Sequence, residues 1–546
     1  MKTNYYRGLL TILFFSVFIT NVFAQNNLIK QWDRRFGGSN VEKLFSFQPT
    51  ADGGYLLAGW TVSPISGDKT QNTQGFEDYW IVKIDSSGIK QWDRDFGGSG
   101  SDLLQAAQQT NDGGYILGGT SFSDISGDKS QNTWGSSGAS DFWIIKTDSL
   151  GNKQWDKDFG GTSNDCLTCL TQTSDGGFML GGFSASGING DKTEASWGSF
   201  DYWVIKIDST GNKQWDKVFG GTNQEQLNCI EQTKDGGYVL TGYSLSNISG
   251  NKTQNSWGQA DYWIVKIDSL GNKLWDKDFG GTGYDNARFC KQTVDDGYII
   301  GGYSYSGISG DKTQNTWGSS DYWIIKIDSL GNKQWDKDFG GNHEEEDFGN
   351  ITLTADGGYL IAGTSYSPIS GNKSEDNLGE EQIWVVKTDA IGNLMWDKTI
   401  FTPGHDELGL AIQLNDECFV LATYTAGGVG GYKTQPAWGF TDYWMVKFCD
   451  TVLTSDLSPS VLTEHFSISP NPATNQLYVT LTKPITKNTI LTITDMQGRV
   501  VKEISPLPGS PDSYREAGGE DIDISTLSHG IYLLKINGQV QRFVKM

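Results

Sequence analysis

Asp261-Tyr262-Trp263-Ile264-Val265-Lys266-Ile267-Asp268-Ser269-Leu270-Gly271-Asn272-Lys273-Leu274-Trp275-Asp276-Lys277-Asp278-Phe279 is the stretch that decides the fold. Its first half, a Trp followed by two apolar residues and Lys, recurs at Trp80, Trp143, Trp203, Trp323, Trp384 and Trp444. Its second half, Trp-Asp, recurs at Trp32, Trp92, Trp155, Trp215, Trp335 and Trp396, at a period of roughly 60 residues. Trp-Asp opens the array and the other phrase closes it, so the two ends complete each other. Long-period repeats mean a solenoid, an array or a propeller, and complementary ends favour a ring.

The unit from Gly220 to Phe279 reads as four strands. Leu227 to Thr233 leads into the turn Lys234-Asp235-Gly236-Gly237, where glycine supplies positive φ, and Tyr238 to Ser244 returns. A long polar loop then runs from Asn247 to Trp257-Gly258. Tyr262 to Ile267 is apolar on both faces, which predicts burial between neighbours, and Lys273 to Phe279 follows the turn Asp268 to Asn272. Four antiparallel strands per unit make a propeller blade. If each blade runs from inner to outer strand, Ile29 to Phe36 is a spare outer strand and Asp442 to Phe448 is a third strand lacking one. Their pairing predicts an all-β, seven-bladed β-propeller over residues 25–450, its N-terminal strand closing the last blade and removing the open edge. An open solenoid would leave both edges exposed.

The turn and Trp in Ile267 to Trp275 resemble the tryptophan-docking repeat of quinoprotein-like propellers, in which the Trp packs between blades. The resemblance covers about ten residues per repeat and implies blade packing only. Those enzymes use adjacent Cys pairs and a calcium-bound cofactor pocket, and no adjacent Cys pair stands here.

The 546-residue chain has 70 Gly, 12% aromatic residues and a formal charge of -23, which suits strands and turns and disfavours nucleic acid or anionic lipid as partners. Lys2 and Arg7, the apolar run Leu9 to Phe23 and the small-residue spacing of Val22-Phe23-Ala24 predict a signal peptide over residues 1–24. No other segment is apolar enough for a transmembrane anchor. Among six Cys, Cys418 and Cys449 fall at facing ends of two antiparallel strands and are the candidate disulfide. Cys166 and Cys169 form a lone CxxC on a strand, which reads as plain thiols or a local bridge rather than a redox or zinc motif.

Residues identical in every copy build blades; the informative ones are few. Lys83, Lys146, Lys206, Lys266, Lys326, Lys387 and Lys447 are expected to neutralise the Asp of Trp-Asp on the paired strand. Glu42, Asp102, Asp165, Glu225, Asp285, Glu345 and Asp406 precede each inner strand. They read either as a carboxylate ring at the channel mouth, where calcium would be the cofactor, or as caps on their own Gly-Gly turns. Trp134, Trp197, Trp257, Trp317 and Trp438 recur in the long loop, with Gln74 in the first copy, and read as ligand-stacking rings or as loop packing. Asn342-His343-Glu344-Glu345-Glu346-Asp347 is the most acidic connection, a solvated charge run or a metal site. No zinc spacing, no GxSxG and no catalytic grouping can be assembled, so no catalytic residue is named.

After a Ser-rich linker, residues 451–465, residues 466–546 read as a small Ig-like β-sandwich with strands near Leu477 to Thr482, Thr489 to Asp495 and Gly530 to Lys535. This tail closely resembles the type A C-terminal sorting domain of the type IX secretion system of Bacteroidota. The matching residues are Pro470, Asn471 and Pro472 within Ser469 to Ala473, Gly498 in the turn Asp495 to Arg499, Gly530 and Tyr532 in Leu527 to Tyr532, and the terminal Lys545. The long Pro, Gly and Ser segment Ser505 to Gly519 departs from that pattern. The resemblance implies export, handling by the type IX machinery, and release or attachment at the outer cell surface. Two functions are then expected: a binding or scaffold module for a glycan or protein, or a propeller hydrolase or lyase acting on polysaccharide with a carboxylate pair unlike its sister blades.

Overall fold

The computed structural model describes residues 28–135, 138–414 and 418–450, and in the tail 466–469, 473–481, 491–495, 499–504, 519–536 and 539–545. The signal peptide and linker expected from sequence lie outside the described residues. The chain divides into two compact units, Met1–Val452 and Leu453–Met546.

In the first unit seven four-stranded antiparallel sheets follow one another. The blade around the quoted stretch comprises Glu225–Gln232, Tyr238–Ser244, Asp261–Ile267 and Lys273–Phe279. Its third strand is buried at every position, as apolarity on both faces requires, while the outer strand alternates between exposed and buried. First strands of neighbouring blades touch one another around the whole circuit, the seventh against the first, so they are the innermost strands of a closed ring. The seventh sheet has the order Leu28–Phe36, Asp442–Asp450, Cys418–Thr425, Asp406–Gln413, and Ile29 faces Cys449 while Phe36 faces Tyr443. Cys418 lies opposite Cys449 on the adjacent strand, and the two are joined in a disulfide.

One hydrogen bond links the two repeated phrases inside every blade. The indole N–H of Trp263 donates to Asp276 at 3.1 Å, and the same bond joins Trp80 to Asp93, Trp143 to Asp156, Trp203 to Asp216, Trp323 to Asp336 and Trp384 to Asp397. In the seventh blade Trp444 donates to Asp33 at 3.3 Å, across 411 residues. Asp276 also accepts from the Thr253 backbone and hydroxyl and pairs with Lys273, so the loop is tied to the outer strand through one carboxylate. These bonds hold its pKa below the ordinary value although burial, the largest single effect, pushes the other way.

The repeated third-strand lysines do not neutralise that Asp. Lys266 faces Trp275 in the ladder, and its ammonium instead reaches Asp235 in the turn between the first two strands, at 3.0 Å. The lysine itself stays buried, and it is Asp235 at the strand end that meets solvent. The Trp of Trp-Asp docks as the resemblance implies: Trp215 lies against Gly271 in the next blade, where φ of +82° and a ring carbon 2.9 Å from any Cβ leave room only for glycine.

In the second unit, Phe466–Ser469, Gln476–Leu481 and Gly519–Asp523 form one sheet. Val500–Ile504, Leu491–Asp495, Gly530–Ile536 and Gln539–Lys545 form the other. Leu477, Val479 and Ile522 from the first sheet and Ile493, Leu534 and Phe543 from the second share one core, which is a sandwich.

Asp276→Ala leaves the buried indole N–H of Trp263 and the Thr253 donors unpaired, and is expected to cost about 2–3 kcal/mol of propeller stability in denaturant unfolding. Asp33→Ala should cost as much and also loosen ring closure, read as faster amide exchange in Asp442–Asp450 than Asp276→Ala produces in Asp261–Ile267.

Candidate functional site

In each blade the start of the first strand, the end of the second and the start of the third share an edge: Asp285 faces Ser304, and Ser304 faces Asp321. The seven repeated carboxylates lie on this edge, each in its own blade. Glu42 is fully buried and accepts from the Gly38 N–H at 2.8 Å, Thr61 Oγ1 at 2.7 Å and Ser63 Oγ at 2.5 Å. Glu225 likewise accepts from Gly221 N–H and Ser244, Asp285 from Gly281 N–H and Ser306, and Asp406 from Thr402. Asp102, Asp165 and Glu345 cap Gly98, Gly161 and Gly341 in the same way. Each of these carboxylates is thus bonded to the turn that precedes its own inner strand. Among the described residues no group of three or more His, Cys, Asp or Glu is placed to hold a metal ion, the acidic connection Asn342 to Asp347 included.

The loop tryptophans straddle the seams between blades. Trp134, Trp197, Trp257, Trp317 and Trp438 are 52–59% exposed. Trp257 rests one side against Gly310 of the next blade and donates its indole N–H to Asp311 at 2.8 Å, and Trp134 donates to Asp191. Gln74 fills the equivalent place in the first blade, bonding Asp128.

A feature the sequence reading missed lies beneath these loops. Lys252 of Ser249-Gly250-Asn251-Lys252 is fully buried against Asp278, and Lys69, Lys129 and Lys312 pair with Asp95, Asp158 and Asp338. Its signal was present: Lys69, Lys129, Lys192, Lys252, Lys312, Lys373 and Lys433 close the same hairpin in all copies. Two carboxylates lie at each of Lys69, Lys129, Lys252 and Lys312, Asp78 with Asp95 in the first blade. Burial, with Asp78 adding to it against the opposing pull of Lys69, lifts Asp95 to about 8.

Among the described residues, the edge breaks its pattern at the sixth and seventh blades. Glu225 and its partner Ser244 are 19 residues apart, whereas Glu345 and Ser365 are 20 apart. The extra residue swells the inner strand between Glu346 and Asn350 and leaves Asp347 at φ 41°, and Leu408 in the next blade stands at φ 55°. Left-handed non-glycine residues of this kind gather at functional sites. Here a cleft of about 410 Å³ opens, lined by Asp347, Tyr366, Glu381, His405, Glu407 and Tyr424.

The cleft is internally braced. His405 Nδ1 meets Glu381 at 2.6 Å and Nε2 meets Glu380 at 2.8 Å. Tyr366 donates to Glu381 and Tyr424 to Glu407, while Tyr305 donates to Glu346 at 2.6 Å. The hydrogen bond to Glu381 raises the His405 pKa against the opposing effect of burial. Burial raises the pKa of Asp347, with Arg288 pulling down and Glu407 and Glu381 pushing further up. Glu344, Glu346 and Asp347 belong to the acidic connection singled out from sequence. Glu381, Glu407 and the three tyrosines did not stand out, since each is ordinary until the ring brings it to the cleft.

In the tail, Gly530 faces Lys545 across a hairpin, and Tyr532 stacks on Phe543 and donates to the Ser528 carbonyl at 2.9 Å. Pro470, Asn471, Pro472 and Gly498 lie outside the described residues.

Residues 467–546 match the family described as the secretion system C-terminal sorting domain. The regulatory protein FlaEY of Caulobacter vibrioides is 23% identical over 258 residues, 44% of this chain. The chain spans only 26% of that relative's length. The WD40 domain of Neurospora crassa Pan2 overlays with a TM-score of 0.41 at 9% identity, covering 75% of this chain and 89% of that one. A puromycin hydrolase overlays with a TM-score of 0.36 at 12% identity, covering 74% and 53%.

His405 is raised above its unfolded value, so its contribution is full below about pH 6.5 and is lost as pH rises through the folded value. An NMR titration should show the His405 ring deprotonating above that pH, and Glu381→Gln should bring its pKa back toward the ordinary one.

Proposed function

We infer that the propeller works outside the cell, because the sorting domain marks this chain as exported through the type IX route, to be secreted or held at the outer cell surface. We propose that the propeller acts there as a binding and scaffold module whose ligand is a protein or peptide presenting a basic side chain to the cleft of the sixth and seventh blades. The observation that carries this reading is local. Seven blades repeat their scaffold residues, while the irregular inner strand of the sixth blade opens a cleft that sets Asp347, Glu381 and Glu407 beside Tyr366 and Tyr424. Such a site suits an ammonium or guanidinium group, which gains charge-assisted hydrogen bonds from the carboxylates and cation–π contact from Tyr366, the Tyr424 ring already having Lys43 5.2 Å from its centroid.

A second reading is favoured by the same departure from the sister blades. Asp347, hemmed in and raised in pKa beside Glu407 and Glu381, has the character of an acid next to a base, as polysaccharide hydrolysis requires.

Peptides bearing Lys or Arg are expected to bind the full exported chain in surface plasmon resonance, and Glu381→Gln with Glu407→Gln should weaken them roughly 30-fold. Undiminished binding by that double variant would sink the reading. Reducing-end release from a polysaccharide panel that disappears in Asp347→Asn would instead establish the enzyme.

A further inference from the structure

The seams carry a second kind of site. At the boundary of the fourth and fifth blades a cavity of about 330 Å³ opens beside Trp257, lined by Gln254, Asn255, Asp311, Asn332 and Lys333. The indole is held from three sides. Its backbone N–H is bound by Asp261 at 2.5 Å, its ring N–H by Asp311 at 2.8 Å, and one side abuts Gly310. Yet Trp257 remains 58% exposed. A large apolar ring left in water, but fixed so that no rotamer entropy remains to be lost on contact, is preorganised for stacking.

The lining decides what stacks there. Asp311 is fixed by the indole N–H, Lys333 donates to the Asp311 carbonyl and to Asp336 at 3.0 Å, and Lys277 and Asp278 line the same cavity, so charges of both signs are present. What surrounds the ring is a mixture of amide, carboxylate and ammonium groups, with no excess of one sign to select an ion. Hydroxyl groups, which donate and accept at once, fit that mixture. A pyranose presents an apolar face to an aromatic ring and a rim of hydroxyls to such neighbours. The volume lies at the small end of ligand pockets, the size class of one or two sugar rings rather than a folded partner.

We propose that the cavity beside Trp257 is a binding site for neutral glycans, repeated at the seams of Trp134, Trp197 and Trp317. Trp197 and Trp317 rest against Gly250 and Gly371, and Trp134 bonds Asp191, so each of these rings shares one of the two contacts that hold Trp257. The seam of Trp438 differs: the Arg35 guanidinium lies 4.5 Å from the ring centroid and caps it. Weak sites on one rigid ring act together on a polymer, because the first contact makes later ones intramolecular. This site is separate from the cleft and needs neither reading of it.

The test uses the full exported chain and immobilised neutral polysaccharides, with neutral and uronic-acid oligosaccharides as soluble probes. Expected is binding of at least one neutral oligosaccharide at millimolar concentration, with indole fluorescence perturbed, and weaker retention of the uronic-acid series. Trp257→Ala should lower the stoichiometry by one site. The fourfold variant at Trp134, Trp197, Trp257 and Trp317 should lose roughly 100-fold in avidity on the polymer. Trp257→Phe, which keeps a ring face, should retain most binding. If the fourfold variant does not fold, the single variants, each removing one site, decide the matter. Retention by the Ala variants equal to the parent chain, or no neutral saccharide bound by the parent, would overturn the proposal. Glu381→Gln with Glu407→Gln should leave glycan binding untouched, which separates this site from the cleft.

Discussion

Everything in the propeller depends on a buried indole N–H finding a carboxylate. A Trp on a strand apolar on both faces must be sealed between blades, and sealing it strands one strong donor unless an acceptor is brought to the same depth. The Asp of Trp-Asp is that acceptor in every blade, as Asp276 is for Trp263. Because it also holds a loop threonine and an outer-strand lysine, the third strand, the outer strand and the long loop become one unit. In the seventh blade the same requirement reaches across the chain, since Trp444 has only Asp33. Ring closure is thus the local chemistry of a blade carried out between the two ends of the repeat.

A scaffold satisfied this way has little chemistry left in its repeated residues. The carboxylates before each inner strand, the hairpin lysines and the third-strand lysines from Lys83 to Lys387 end in bonds within their own blades. Reactive groups remain where the pattern is interrupted or where a ring is fixed but left open to water. The first condition produces the cleft at Asp347, Glu381 and Glu407, the second the half-exposed indoles at the seams.

The two kinds of position were not equally legible. Tyr238–Ser244 and Lys273–Phe279 were readable to the residue because alternation and glycine turns bound them on both sides. The pairing of Ile29 to Phe36 with Asp442 to Phe448 followed from the broken phrase alone. The destination of Lys266 was misread, since strand adjacency says nothing about where a four-carbon side chain ends. Glu381 and His405 lie 24 residues apart and meet only because the third strand of one blade and the first of the next start on the same edge.

By itself the sequence determined the architecture: seven repeats, four strands each, an outer strand borrowed from the start of the array, and a sorting tail. Repetition and period are properties of a chain, and each copy confirms the others. Only the tertiary structure decided which polar groups are spent and which are available, because satisfaction of a carboxylate or the open face of an indole depends on neighbours from another blade. That is why Glu42 and Glu381, alike as letters, are a buried turn cap and a wall of the cleft.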